Sequence, residues 1–100
     1  MYIDSHCHLE QQTFGDELDA VIERAHAAGV SRMVAVGASR VSVGAGEAVQ
    51  LAESKPSIFA TAGVHPHDAG KMSDEDLAKI ASYLSHPKVV SVGEIGLDYH

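Results

Sequence analysis

Apolar and polar positions along the chain alternate between two rhythms. Short runs rich in β-branched and aromatic residues, Tyr2–Asp4, Arg32–Val36, Ile58–Val64 and Val89–Glu94, read as strands. Between them, apolar residues recur three and four positions apart, the spacing that places side chains on one face of a helix. Leu18, Val21, Ile22 and Ala25 mark the first helix, and Gly29 follows as its stop. A weaker second helix runs from Val43 to Ser54, with Ala48, Leu51 and Ala52 on one side and Pro56 close behind. The third is the clearest. Ser73 is a suitable N-cap, and Asp74, Glu75 and Asp76 suit the positive end of the helix dipole. Leu77, Ile80, Ala81 and Leu84 form its stripe, and Pro87 ends it.

The resulting order is β-α-β-α-β-α-β, with no linker, repeat or low-complexity stretch. Segments such as Val89–Val92 are apolar or small on both faces, as expected of strands covered by helices on one side and by other strands' side chains on the other. The class is parallel α/β, and the order suits either a doubly wound sheet or part of a (β/α)8 barrel. A barrel needs eight strands and about 250 residues. On that reading residues 1–100 supply about the first four strands and three helices of one domain, with no internal boundary. His100 lies a few residues past the fourth strand, where a following helix is expected to begin, so the chain reads as truncated.

Composition narrows the function classes. The chain is 45% hydrophobic and 21% charged, an ordinary balance for a globular protein of one small domain. It has no apolar run near the ~20 residues of a membrane span. It also lacks a signal peptide's basic stretch and apolar block, so a cytoplasmic location is expected, with no membrane and no obligate protein partner. Cys7 is the only cysteine, which excludes an intrachain disulfide and a cysteine-based zinc cluster. A net charge of −7 argues against a broad electrostatic grip on a nucleic-acid backbone. A nuclease remains compatible, because bound cations can hold phosphate while the rest of the surface stays acidic. Seven histidines in 100 residues are the first compositional sign of metal chemistry.

The histidines are placed informatively. His6-Cys7-His8 directly follows the first strand. On an extended backbone residues two apart point to the same face, about 6.5–7 Å apart, so two imidazoles can converge on one cation. On a helix the pair would diverge. A surface turn with two polar histidines explains the bare motif equally well. Glu94 ends the run Val89-Val90-Ser91-Val92-Gly93-Glu94. Counting by two, Val90, Val92 and Glu94 share a face, so a carboxylate stands in line with two valines expected to be buried. A charge there is costly unless paired or bound to metal. A salt-bridged loop glutamate is the plainer reading. His65-Pro66-His67 is a second pair after the third strand and competes with the first by spacing alone. Pro66 implies a turn that need not keep both rings on one face, which leaves His65 a site residue and His67 open. Asp4 is either an acceptor for an imidazole N–H or a brace for the turn. Cys7, between two candidate ligands, should point away from them. His26 and His86 lie on helices and read as structural or solvated.

Three blocks together carry a family resemblance: Ile3-Asp4-Ser5-His6-Cys7-His8-Leu9, Gly63-Val64-His65-Pro66-His67 and Val92-Gly93-Glu94-Ile95-Gly96-Leu97-Asp98-Tyr99. In order and separation they resemble the TatD family of metal-dependent deoxyribonucleases, a branch of the amidohydrolase superfamily, from end to end of the chain. The resemblance implies a (β/α)8 barrel with one or two divalent cations (Mg, Mn or Zn) at the carboxyl ends of the strands. It implies that His6 and His8 are ligands of the first metal, and that Glu94, catalytic and ligating, bridges to the second. It places His65 where the family has a histidine facing the substrate phosphate. The implied reaction is hydrolysis of phosphodiester bonds in DNA, or RNA, by a metal-activated water, in several members from the 3′ end. Related superfamily members cleave amides and esters, and a non-catalytic α/β module that binds metal for structure or for a partner is a further alternative. One departure dominates. The family completes its site with two later histidines and an aspartate, and this chain stops before them. Alone, it is expected to bind metal weakly and to turn over little or no substrate.

Overall fold

The structure, a computed structural model, describes residues 1–9 and 14–96. Strands β1 (Tyr2–Cys7), β2 (Val30–Gly37), β3 (Ile58–Ala62) and β4 (Val89–Val92) alternate with helices α1 (Leu18–Ala27), α2 (Val43–Ser54) and α3 (Asp74–Tyr83). Short 3-10 turns precede α1 at Gly15–Glu17 and α3 at Pro66–Lys71. Every expected element is present, and the strand limits move. β1 runs three residues further than expected, taking His6 into the strand, whereas β3 and β4 each stop two residues early.

The strands form one parallel sheet in the order β1-β2-β3-β4. That order separates the two architectures left open above. A doubly wound sheet reverses direction at a switch point, which places helices on both faces. Right-handed crossovers that always step to the next strand put every helix on one side. Met33 and Ala35 of β2 and Ile58 and Ala60 of β3 accordingly form one buried cluster with Leu18 and Ile22 of α1 and Ala48, Val49 and Ala52 of α2. A smaller cluster joins Ala45, Ala62, Val64 and Ile80. The opposite face, carrying Val34, Val36, Thr61, Val90 and Ser91, lines an open cavity of about 310 Å³.

Helix α3 starts as its sequence dictates. The Ser73 hydroxyl accepts the Asp76 N–H at 3.1 Å, and the Asp76 carboxylate accepts the Ser73 N–H at 3.0 Å, a reciprocal capping box. The other carboxylate oxygen of Asp76 accepts the buried Ser42 hydroxyl at 2.6 Å, tying the start of α3 to the start of α2. These bonds hold the Asp76 carboxyl below its usual range.

The expectation for β4 needs correcting. Its strand is largely exposed, with Val90 at 56% and Val92 at 51%. Nor do the two valines share a face with each other. Ala60 pairs with Val89 but Thr61 pairs with Ser91, so Val90 is an extra residue in the ladder. The insertion sends Val90 into the cavity beside Val34 and Val36, and Val92 to the helix side beside Leu77 and Ile80. Period-two counting fails across such a bulge. The exposure has a simpler cause: β1 and β4 are the two edges of the sheet.

Candidate metal centre

The chain places its candidate residues at the carboxyl ends of β1, β3 and β4. In β1, Asp4 pairs with Met33 and Cys7 with Ala35, so three steps of β1 span two of β2. The irregularity turns Cys7 toward the core, where its Sγ donates to the Val34 carbonyl at 3.4 Å. Burial, with the negative charge of Asp4 as a smaller cause, pushes the Cys7 thiol up to about 11. Cys7 is therefore a packing residue and no nucleophile. With Cys7 turned inward, its neighbours His6 and His8 turn to the other side, their rings meeting edge to face at 5.1 Å between centroids.

Glu94 lies opposite them. Its Oε2 stands 3.8 Å from Nε2 of His6 and 3.8 Å from Nε2 of His8. One ligand atom from each of the three residues falls within 4.8 Å of the others. The separations are diagnostic. They exceed the ~2.7–3.2 Å of hydrogen bonds, so the three groups do not satisfy one another directly. Two ligands each ~2.1 Å from a tetrahedral cation stand about 3.4 Å apart, and the two histidine–Glu94 separations of 3.8 Å lie a few tenths of an ångström above that, within a set spread over 4.8 Å. Two imidazoles and a carboxylate are also a donor set that divalent transition metals favour. The residues fit a cation held among them.

His65 approaches the other carboxylate oxygen, with Nε2 3.7 Å from Oε1 of Glu94. Its backbone N–H donates to the Ala38 carbonyl at 3.0 Å, fixing the end of β3 against the end of β2. Its Nδ1 accepts the His67 backbone N–H at 3.1 Å. A neutral imidazole accepting at Nδ1 carries its proton on Nε2. The atom facing Glu94 is therefore a donor, and the second His-x-His motif splits as Pro66 implied. His65 faces the site, whereas His67 braces it from the backbone and meets the His65 ring edge-on, 4.7 Å between centroids. Asp4 serves as the brace of the alternatives above, its carboxylate accepting the His6 N–H at 3.1 Å. His26 bonds Val30 and Ser57, and His86 bonds Lys88 and Glu53, both away from the centre. Asp98, Tyr99 and His100 lie outside the described residues.

Two further residues matter to the centre. Gly63 belongs to the Gly63–His67 motif, and a Cβ there would sit 2.6 Å from the Glu94 carbonyl oxygen. Only glycine lets the Glu94 backbone approach β3 so closely. Thr61 was absorbed into an apolar strand. Its buried hydroxyl accepts the Gly37 N–H at 3.3 Å and donates to the Gly93 carbonyl at 3.0 Å. The available signal was a lone hydroxyl inside Ile58-Phe59-Ala60-Thr61-Ala62.

Consecutive parallel strands with helices on one face are the first part of a (β/α)8 barrel, and here they carry a His-His-Glu cluster at the strand ends. Comparison with known proteins makes the assignment specific. The TatD related DNase family profile matches residues 3–100, and the chain belongs to this family. It is 44% identical over 100 residues to the uncharacterized metal-dependent hydrolase YabD of Bacillus subtilis, covering 38% of that protein. It is 38% identical over 92 residues to the 3′-5′ ssDNA/RNA exonuclease TatD of Cronobacter turicensis, covering 34% of it. The crystal structure of YJJV, a TatD homolog from Escherichia coli, superposes with a TM-score of 0.86 at 34% identity, over 99% of this chain and 38% of that one. The chain thus spans between a third and two-fifths of the length of these relatives. Among the described residues no helix is long and apolar enough to cross a membrane.

Proposed function

We propose that residues 1–100 form the N-terminal half of a single barrel domain whose activity is metal-dependent hydrolysis of phosphodiester bonds, with DNA or RNA as substrate and 3′-to-5′ exonuclease action. The observation that carries the reading is the convergence of His6, His8 and Glu94 within 4.8 Å. His6 and His8 would hold one divalent cation with Oε2 of Glu94, and Oε1 would remain directed toward His65. A bound divalent cation supplies Lewis-acid polarisation of a phosphoryl oxygen and offsets the negative charge that develops there. His65, held with its proton on Nε2, would donate to a non-bridging phosphate oxygen and orient it. An exposed centre at the strand ends admits a polymer end. The names of the relatives support the same reaction class.

The test measures nucleotide release from single-stranded DNA by the full-length protein with Mn²⁺ or Mg²⁺. Chelation should abolish it. Glu94→Ala should lower it at least about 100-fold, beyond the 10–100-fold typical of residues that only orient ligands. Full activity in Glu94→Ala would remove the centre from the mechanism.

A further inference from the structure

We infer that Thr61 is a positioning residue of the metal centre, setting the carboxylate of Glu94 through the backbone that precedes it. This rests on the reading of His6, His8 and Glu94 as ligands.

Glu94 stands beyond the last residue of β4, Val92, so ladder hydrogen bonds of β4 do not fix it. Two contacts hold the connecting residue Gly93. Its N–H donates to the Ala62 carbonyl at 3.0 Å, and its carbonyl accepts the Thr61 hydroxyl at 3.0 Å. The same hydroxyl accepts the Gly37 N–H at 3.3 Å. One proton and one lone pair of a single oxygen thereby link the ends of β2, β3 and β4. The peptide between Gly93 and Glu94 begins at the carbonyl that Thr61 holds, so a shift of that carbonyl is passed directly to the Glu94 Cα. The close approach of Glu94 to Gly63 leaves little alternative path for the chain.

The geometry suits Thr61 to this task. It lies on the cavity face that also carries His6 and Glu94, at 8% exposure, and its hydroxyl has a partner for both its donor and an acceptor site. The neighbouring side chains on the same sheet face are Val34, Val36, Val90 and Ser91, and the hydroxyl is taken up by the backbone of Gly37 and Gly93. Among the described residues the hydroxyl's hydrogen bonds go to backbone groups at the ends of the two neighbouring strands, which places Thr61 to set where Glu94 stands.

The experiment titrates Mn²⁺ into the intact protein and reads free Mn²⁺ by electron paramagnetic resonance, with metal-free thermal unfolding in parallel. Wild type is compared with Thr61→Val, Thr61→Ser, Glu94→Ala and Ile22→Val, the last a core change in α1 remote from the centre. Thr61→Val keeps the shape and removes the hydroxyl. It should weaken Mn²⁺ binding roughly 10-fold, in the range for residues that orient ligands. Thr61→Ser should recover most of the affinity. Ile22→Val should lower the unfolding temperature without moving the affinity, which separates positioning from a general loss of stability. Unchanged Mn²⁺ affinity in Thr61→Val, or equal losses in the valine and serine variants, would overturn the inference while leaving the centre intact. Failure of wild type to bind Mn²⁺ more tightly than Glu94→Ala would overturn the centre, and the inference with it.

Discussion

Glu94 meets three histidines through two oxygens, and each of those contacts depends on a neighbouring residue outside the cluster. Cys7 turns inward so that His6 and His8 turn outward. The His67 amide fixes the proton of His65 on Nε2. Gly63 makes room for the Glu94 backbone, and this yields a sharp prediction. In Gly63→Ala the new methyl would lie 2.6 Å from the Glu94 carbonyl oxygen, against backbone that cannot swing aside as a flexible side chain would. Metal affinity should fall at least about 10-fold, with helix content unchanged by circular dichroism, because the strain enters where the ligand's support does. Unaltered Mn²⁺ binding in that variant would show that Glu94 is placed by other contacts.

At the scale of elements, α3 shows how one carboxylate serves two helices. Ser73→Ala removes the acceptor for the Asp76 N–H, and loss of such a cap costs about 1 kcal/mol. Denaturant titration should register it as a lower midpoint with an unchanged slope. Asp76 adds a pH dependence. Its carboxyl is held down first by the Ser42 hydroxyl and then by Ser73, so its folded pKa lies below the unfolded value of ~3.9. The sign follows from linkage: the stabilisation is complete above the unfolded value and is lost as pH falls through the folded one. The difference in unfolding temperature between wild type and Asp76→Ala should therefore be constant above about pH 5 and shrink as the solution is acidified below about pH 4. A difference that grew on acidification would assign the bonds to the protonated carboxyl.

For the 100-residue chain, the described residues leave β1 and β4 as the two edges of the sheet, and Leu77, Leu84, Met72, Val92 and Ile95 border an apolar groove of about 330 Å³ beside α3. Unpaired edges and contiguous apolar surface favour association. The 100-residue chain on its own should sediment with a concentration-dependent mass, and Leu84→Glu in the groove should shift it toward monomer. A monomer at all concentrations would mean that the edges and groove are self-protected. The same openness governs the centre. Among the described residues one carboxylate and two imidazoles form the cluster, and three ligands should bind a cation well below the affinity of a protein that supplies more.

What the sequence determined by itself was local or repetitive. Helical spacing gave all three helices, and Ser73 with its acidic followers announced the start of α3 because a cap is written within four residues. Short β-rich runs gave four strands in the right order. The pairing of His6 with His8 was legible because two residues flanking one on extended backbone tend to share a face, although the irregularity in β1 decides which face that is. Tertiary structure decided the rest. The choice of barrel over doubly wound sheet lay in strand order, which apolar patterns do not encode. The faces of Val90 and Val92 depended on one extra residue in β4, visible only against β3. Which His-x-His pair joins Glu94, and why Thr61 and Gly63 matter to it, depended on atoms more than thirty residues apart in sequence meeting within hydrogen-bonding or steric distance. Periodicity reports how a segment turns its side chains. Where those side chains end up is settled only when segments pack together, since a one-residue shift in register reverses their faces.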